Sequence, residues 1–500
     1  MPMQEAFDRL EELDEEIVLV SHIKEVLNWD LEVVPPAGGG ERARQQGWIE
    51  RKVHDMVSSD EMGGLLAQLG ASESQEEGDP SLDDRCRGLI RNRFIEWNRE
   101  RKLDPDLVQI FTEKTAIAYR KWVVARQAND FSLFEPCLTE LVSLVREKAS
   151  QYGYTDDPYD ALLQRFEPGM ATREVSEVFS TLQTDLASLL DRLKGAVPVE
   201  DSFLYLKYPE DRQALFGKEI LDAMGFDTQR GVTGISAHPY TTTLGSDDIR
   251  ITTRYTEPNV SSALFSTIHE GGHALYEMGA SNAHTASTNL ANGASCAMHE
   301  SQSRLWENVI GRSRPFWAHF YPRFKELFSQ QLEGVDEKRF LAAINKVEPS
   351  CIRVNADEAT YAMHIILRFN LERRLLSGDL KVANLPQAWN DGMADLLGIR
   401  PRTASEGVLQ DVHWSYGEFG YFPTYALGNL YGAQIYQTMG KELDVNRLLQ
   451  AGELAPIKAW LDAHVYQYGA IYKPKVLLER VTGRSLDASC FRDYLFKKYT

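Results

Sequence analysis

The sequence predicts a mainly α-helical protein built as one continuous domain, with a single small β-sheet. Three observations carry that expectation. Apolar residues recur at three- and four-residue spacing, with charges between them, through most of the 500 positions, which is the pattern of helices that each bury one face. One stretch, 231–255, is instead β-branched and alternating. No internal repeat and no low-complexity linker divides the chain.

Taken in order, helices are predicted over 4–33, 41–69, 82–102, 105–127, 136–152 and 172–194. Pro35-Pro36-Ala37-Gly38-Gly39-Gly40 ends the first helical hairpin, and 72–84 is a polar, acidic loop. Glu167-Pro168-Gly169 precedes a helix whose N-cap reads as Thr172. The clearest strand is Arg250-Ile251-Thr252-Thr253-Arg254-Tyr255, with Gly and Pro punctuation around it. A helix over 261–279 follows directly, so the sheet offers an open edge beside it to which an extended peptide can add. Helices resume at 295–310, 314–332, 337–346, 356–376 and 385–397.

Composition narrows the function. A formal charge of −19 with no long basic run disfavours nucleic acid as a partner. No apolar run reaches the length that spans a bilayer, and 1–16 has neither a basic n-region nor an apolar h-region. Five scattered cysteines (Cys86, Cys137, Cys296, Cys351, Cys490) without CxxC spacing fit free thiols in a reducing compartment. The expected location is cytoplasmic.

The most informative stretch is His269-Glu270-Gly271-Gly272-His273. On a helix, imidazoles at i and i+4 share one face, so both can reach one metal ion, and the glutamate between them can serve as general base. This is a zinc-hydrolase signature. Catalytic zinc usually takes three protein ligands and leaves one position open. Glu300, opening the next helix after a loop of small residues, is the best third candidate and would complete a His₂Glu set; His284 and His299 are its rivals. Gly271 and Gly272 each cost a helix interior about 1 kcal/mol relative to Ala, which suggests that a substrate strand or a neighbouring helix passes close.

With those residues in hand, the chain resembles the carboxypeptidase Taq family of metallocarboxypeptidases nearly end to end. The family's metal motif stands at 269–273, and its HES(G/Q) motif at His299-Glu300-Ser301-Gln302. DxRxT stands as Asp248-Ile249-Arg250-Ile251-Thr252, and IRxxAD as Ile352-Arg353-Val354-Asn355-Ala356-Asp357. GxxQDxHW reads Gly407-Val408-Leu409-Gln410-Asp411-Val412-His413-Trp414. Trp29-Asp30 and Glu32 also match. The family's His-Pro-Phe is His238-Pro239-Tyr240 here, with a tyrosine in the third place.

The resemblance implies a two-lobed, zincin-like helical fold with a deep groove, in which 1–200 covers the groove and 201–500 carries catalysis. It implies zinc or cobalt, one ion per subunit, a homodimer, and removal of C-terminal residues from peptides. Glu270 would activate water and later protonate the leaving amine. Arg353 would grip the free α-carboxylate, because a guanidinium fork matches a carboxylate; an ion pair with an acid of the chain is the alternative. Arg250 is a second candidate for that grip, and His238 belongs to the same substrate edge. His413 with Tyr421 or Tyr425 would donate to the oxyanion. Asp357 would accept from a ligand histidine or cap a helix. A zinc endo-oligopeptidase of similar helical shape is the rival activity.

Overall fold

In the computed structural model, residues 2–31, 38–195, 197–255 and 259–500 are described. Glu32 and the Pro35-Pro36-Ala37 break therefore lie outside the described residues. The chain is 67% helix, about twice the usual share, and its described residues form one three-stranded sheet. No helix among the described residues is long and apolar enough to cross a membrane.

Two compact units form, neither of them continuous in sequence. The first comprises Met1–Arg101, Glu200–Ile344 and Ile435–Gly483; the second comprises Lys102–Val199, Asn345–Gln434 and Arg484–Thr500.

In the first unit the helix Met3–Leu31 packs with Asp60–Gln68 and Asp84–Lys102 over Leu10, Leu13, Met62, Leu66 and Ile90. The predicted 41–69 helix is two helices, Gly39–Val57 and Asp60–Gln68. Ser59 breaks it, because its side chain caps the second helix by accepting from Met62 N at 3.1 Å. The sheet has the order β1 (Gly231–Ile235), β3 (Asp248–Thr253), β2 (Thr241–Gly245). β1 runs parallel to β3, and β2 antiparallel to it. Ile249, Ile251 and Thr253 alternate along β3 into the core, where the strand meets the helix Val260–Ala280. Fifteen of that helix's 21 residues are buried, so it is a core helix, with Asn259 as its cap.

The predicted 295–310 helix is α-helical over Cys296–Arg304 and then widens to a π-helical turn, Leu305–Ile310. The next helix stops at Leu327 rather than 332. In the second unit Thr172 is the first helical residue rather than the cap: Asp160, from the helix Pro158–Leu163, accepts its N–H, and Glu174 accepts that of Ala171. The core helix there is Glu358–Ser377. Tyr361, His364, Arg368 and Glu372 lie on it at three- and four-residue spacing, all buried, as a polar stripe within the unit's interior.

Candidate active site

His269 and His273 sit on consecutive turns of Val260–Ala280, with ring centroids 4.8 Å apart. Glu300 enters from Cys296–Arg304, whose first turn is fixed by Ser295 accepting from Met298 N at 3.0 Å. Glu300 Oε2 lies 3.7 Å from His269 Nε2 and 3.5 Å from His273 Nε2. One donor atom from each of the three lies within 4.8 Å of the others. Ligands about 2.0–2.1 Å from a tetrahedral ion are themselves about 3.3 Å apart, so the set fits a zinc-sized cation after a small contraction. The rivals do other things. His284 is exposed, and its carbonyl accepts from Arg85; His299 turns its Nδ1 to His273 Nδ1.

The glycine pair explains how the two helices come so close. A Cβ at Gly272 would stand 2.8 Å from Gln302 O and from Ser303 Cα, so only glycine lets the backbone carrying Glu300 lie against the helix carrying His269 and His273. At Gly271 the neighbours are Leu221 and Met224 of the helix Glu210–Met224. Of the two expected neighbours, helices press on both glycines.

Each of these three side chains is held from behind. Glu307, on the π-helical turn, stands 2.9 Å from His269 Nδ1 and is flanked by Arg304 at 3.2 Å and Arg312 at 3.3 Å. Arg304 Nε also donates to Glu300 Oε1 at 2.8 Å. Burial works to raise the pKa values of Glu300 and Glu307, but Arg304 and the imidazoles outweigh it and hold both well below the usual carboxylate range. Burial, with His299 beside it, pushes His273 down to about 3, leaving it a neutral imidazole with a lone pair to share. His269 differs. Burial lowers its pKa, but Glu300 and Glu307 outweigh that and raise it, and such a proton is one that a bound cation displaces. Glu270 is buried and accepts from Thr241 Oγ1 at 2.7 Å; burial raises its pKa against the pull of His269 and Thr241.

The second unit gathers the other predicted residues. Arg353 gives Nε and Nη2 to Asp411 Oδ1, each at 2.9 Å, and Nη1 to Tyr361 Oη at 2.9 Å. Its backbone N–H donates to Gln410 Oε1 at 2.8 Å. Arg368 takes the other oxygen of Asp411, with Nε at 2.7 Å. Two buried guanidinium groups therefore share one carboxylate, and the cluster carries a positive excess. His413 Nε2 stands 3.3 Å from Tyr425 Oη, and the Tyr421 ring centroid lies 5.5 Å from that of His413. Burial pushes His413 down to about 4. Glu372 pins this loop, accepting from Trp414 Nε1 at 2.8 Å, Gly420 N at 3.2 Å and Tyr159 Oη at 2.7 Å.

Three predicted residues stand apart from these groups. Arg250 gives one side of its guanidinium, Nε and Nη2, to the two oxygens of Asp248, at 2.7 Å each, and the group lies 5.3 Å from the Trp29 ring. His238 is exposed between β1 and β2. Asp357 does not support a ligand histidine. It caps Glu358–Ser377, accepting from Ala359 N and Thr360 N with one oxygen, while Thr360 Oγ1 and Glu348 N occupy the other; the acceptors behind His269 and His273 are Glu307 and, through His299, Glu277. Glu307, Glu277, Arg368 and Glu372 were not singled out from sequence. Acids in otherwise apolar helical registers, as at Glu307 and Glu372, are the signal that could have found them.

The carboxypeptidase Taq (M32) metallopeptidase family model matches residues 9–499. Thermostable carboxypeptidase 1 of Pyrococcus furiosus is 39% identical, over 96% of this chain and 95% of its own. Its namesake from Thermus thermophilus is 38% identical, over 100% and 99%. Among solved structures, the Pyrococcus furiosus carboxypeptidase matches with a TM-score of 0.95 at 38% identity, and metallocarboxypeptidase 1 of Trypanosoma cruzi with 0.90 at 30%, each over 99% of both chains.

Proposed function

The chain belongs to the carboxypeptidase Taq (M32) family of metallopeptidases and is a peptide hydrolase, and from that premise we propose that it releases C-terminal residues from peptides with zinc held by His269, His273 and Glu300. The single observation that carries the reading is this donor set, with Glu270 beside it on the same helix. Cobalt fits the same ligands, at one ion per chain.

A divalent cation supplies, when bound, Lewis acidity toward a scissile carbonyl and toward water. The rest falls to the side chains. Glu270, held by Thr241, takes a proton from the attacking water and returns it to the leaving amine. Burial, which raises its proton affinity, suits that exchange. Arg353, fixed by Asp411 and Tyr361, receives the α-carboxylate, for which the positive excess of the cluster is the complement. His413 and Tyr425, which already share a hydrogen bond, donate to the carbonyl oxygen as charge develops on it, with Tyr421 as the neighbouring candidate. His238 and Arg250 are assigned to the substrate edge on the resemblance alone. All these residues lie in 201–500, to which we assign catalysis. The free cysteines suit a cytoplasmic setting, and a homodimer completes the proposal; the mass of the native particle in solution tests it.

The direct test is one peptide offered as the free acid and as its C-terminal amide. Stepwise trimming of the acid alone supports the proposal. An amide trimmed equally fast, or a first cut at an internal bond, makes the chain an endo-oligopeptidase instead.

A further inference from the structure

We propose that His299 and Glu277 form a relay that fixes the tautomer and ring orientation of His273, so that the two imidazole ligands are held by different chemistry. The inference rests on the metal set proposed above. His273 presents Nε2 to Glu300 and turns Nδ1 to His299 Nδ1, and His299 Nε2 in turn contacts Glu277. A hydrogen bond between two ring nitrogens needs one N–H and one bare lone pair. If Nε2 of His273 is to ligate, it must be bare, so the hydrogen sits on Nδ1 and is donated. His299 must then accept at Nδ1 and carry its own hydrogen on Nε2. Only an acceptor beyond it holds that hydrogen in place, and Glu277 is that acceptor. Glu277 is itself steadied by Thr243 Oγ1 at 3.1 Å, from β2.

The partner ligand has no such intermediary. His269 Nδ1 meets the carboxylate of Glu307 directly. One ligand thus faces a full negative charge and the other a neutral ring backed by a charge one imidazole away. His299, a rival for the third ligand position in sequence, is by this account a positioning residue.

Zinc affinity, measured with zinc alone against a competing chelator, reads the relay without reference to turnover. His299→Phe keeps a planar ring and removes the acceptor, and it should weaken zinc by about 10–100-fold, the usual cost of losing a group that orients a ligand. His299→Asn places an amide oxygen close to the lost Nδ1 and should recover affinity to within about threefold of the parent, since the acceptor is what matters. Glu277→Leu should cost about tenfold alone and nothing further in the His299→Phe background, because links of one chain are not additive. Thermal unfolding of the metal-free variants confirms that each is folded. If His299→Phe does not fold, Glu277→Gln, which retains an acceptor, should bind more tightly than Glu277→Leu. The relay is overturned if His299→Phe binds zinc as the parent does, if His299→Asn and His299→Phe weaken it equally, if Glu277→Leu adds its full cost to His299→Phe, or if Glu277→Gln binds no better than Glu277→Leu. A parent chain that binds no zinc overturns instead the metal set on which the relay rests.

Discussion

Gly272→Ala is the smallest change that separates the helix of His269 and His273 from the helix of Glu300. The added Cβ would stand 2.8 Å from Gln302 O and Ser303 Cα, whereas ordinary contact begins at 3.4 Å, so the helices must part by about 0.6 Å. Both obstacles are backbone and cannot swing aside. Overpacking costs about 1–3 kcal/mol, and alanine returns about 1 kcal/mol of helix propensity, which leaves a net loss of roughly 0–2 kcal/mol in fold stability. The metal site is less tolerant, because ligand distances hold to about 0.2 Å. A displacement three times that size, carried mainly by Glu300, should weaken zinc by about tenfold or more, near 1.4 kcal/mol. Gly271→Ala is the control. Its Cβ meets Leu221 Cδ2 at 2.7 Å and Met224 Cε at 3.1 Å, both ends of flexible side chains, so affinity should hold. Zinc titration against a chelator, with thermal unfolding of the metal-free protein, reads both effects. Parental affinity in Gly272→Ala, or a greater loss in Gly271→Ala, would refute the claim that this helix contact sets the ligand spacing.

Other expectations are as direct. Glu270→Gln should abolish turnover and retain zinc, and undiminished hydrolysis would remove it as the base. Arg353→Lys keeps the charge and loses the fork; KM for a free-acid peptide should rise roughly 10–100-fold with less change in kcat, and an unchanged KM would reject the carboxylate grip. Burial pushes Glu372 up to about 7 from an ordinary 4.5. Folding then favours its protonated form, so the stability it contributes is full below about pH 4.5 and is lost as pH rises through about 7, by roughly 3 kcal/mol. Glu372→Gln has no such proton to lose. The gap in melting temperature between parent and variant should therefore shift in the variant's favour from pH 5 to pH 8, and parallel profiles would contradict this. Tyr425→Phe should reduce kcat more than Tyr421→Phe, since Tyr425 is the one hydrogen-bonded to His413; the reverse order would exchange their roles.

What could be read from the sequence follows the range of each interaction. His269, His273 and Glu270 are legible because the i, i+4 spacing is local geometry. The helix register around 261–279 is legible for the same reason, and the strand before it is found two residues earlier than the expected 250–255, as Asp248–Thr253. The break at Ser59 was missed because apolar spacing runs on through it, and a cap is a hydrogen bond rather than a period. Thr172 was misplaced by one residue because its N–H is satisfied by Asp160, twelve positions away. The π-helical turn after Arg304 has no signature in apolar spacing, yet it is what carries Glu307 to His269. Asp357 could be read two ways, and the nearer donors won. The pairing of Arg353 with Asp411, 58 positions apart, and the turn of His299 toward His273 are tertiary facts that no spacing encodes.

The measurement closest to the centre of this account is elemental analysis of the purified chain after exposure to zinc, set beside the variant carrying both His269→Ala and His273→Ala. Close to one ion per parent chain is expected, none in the variant, and peptide trimming only in the first. A parent without stoichiometric metal, or a double variant that trims peptides at the parental rate, would contradict it.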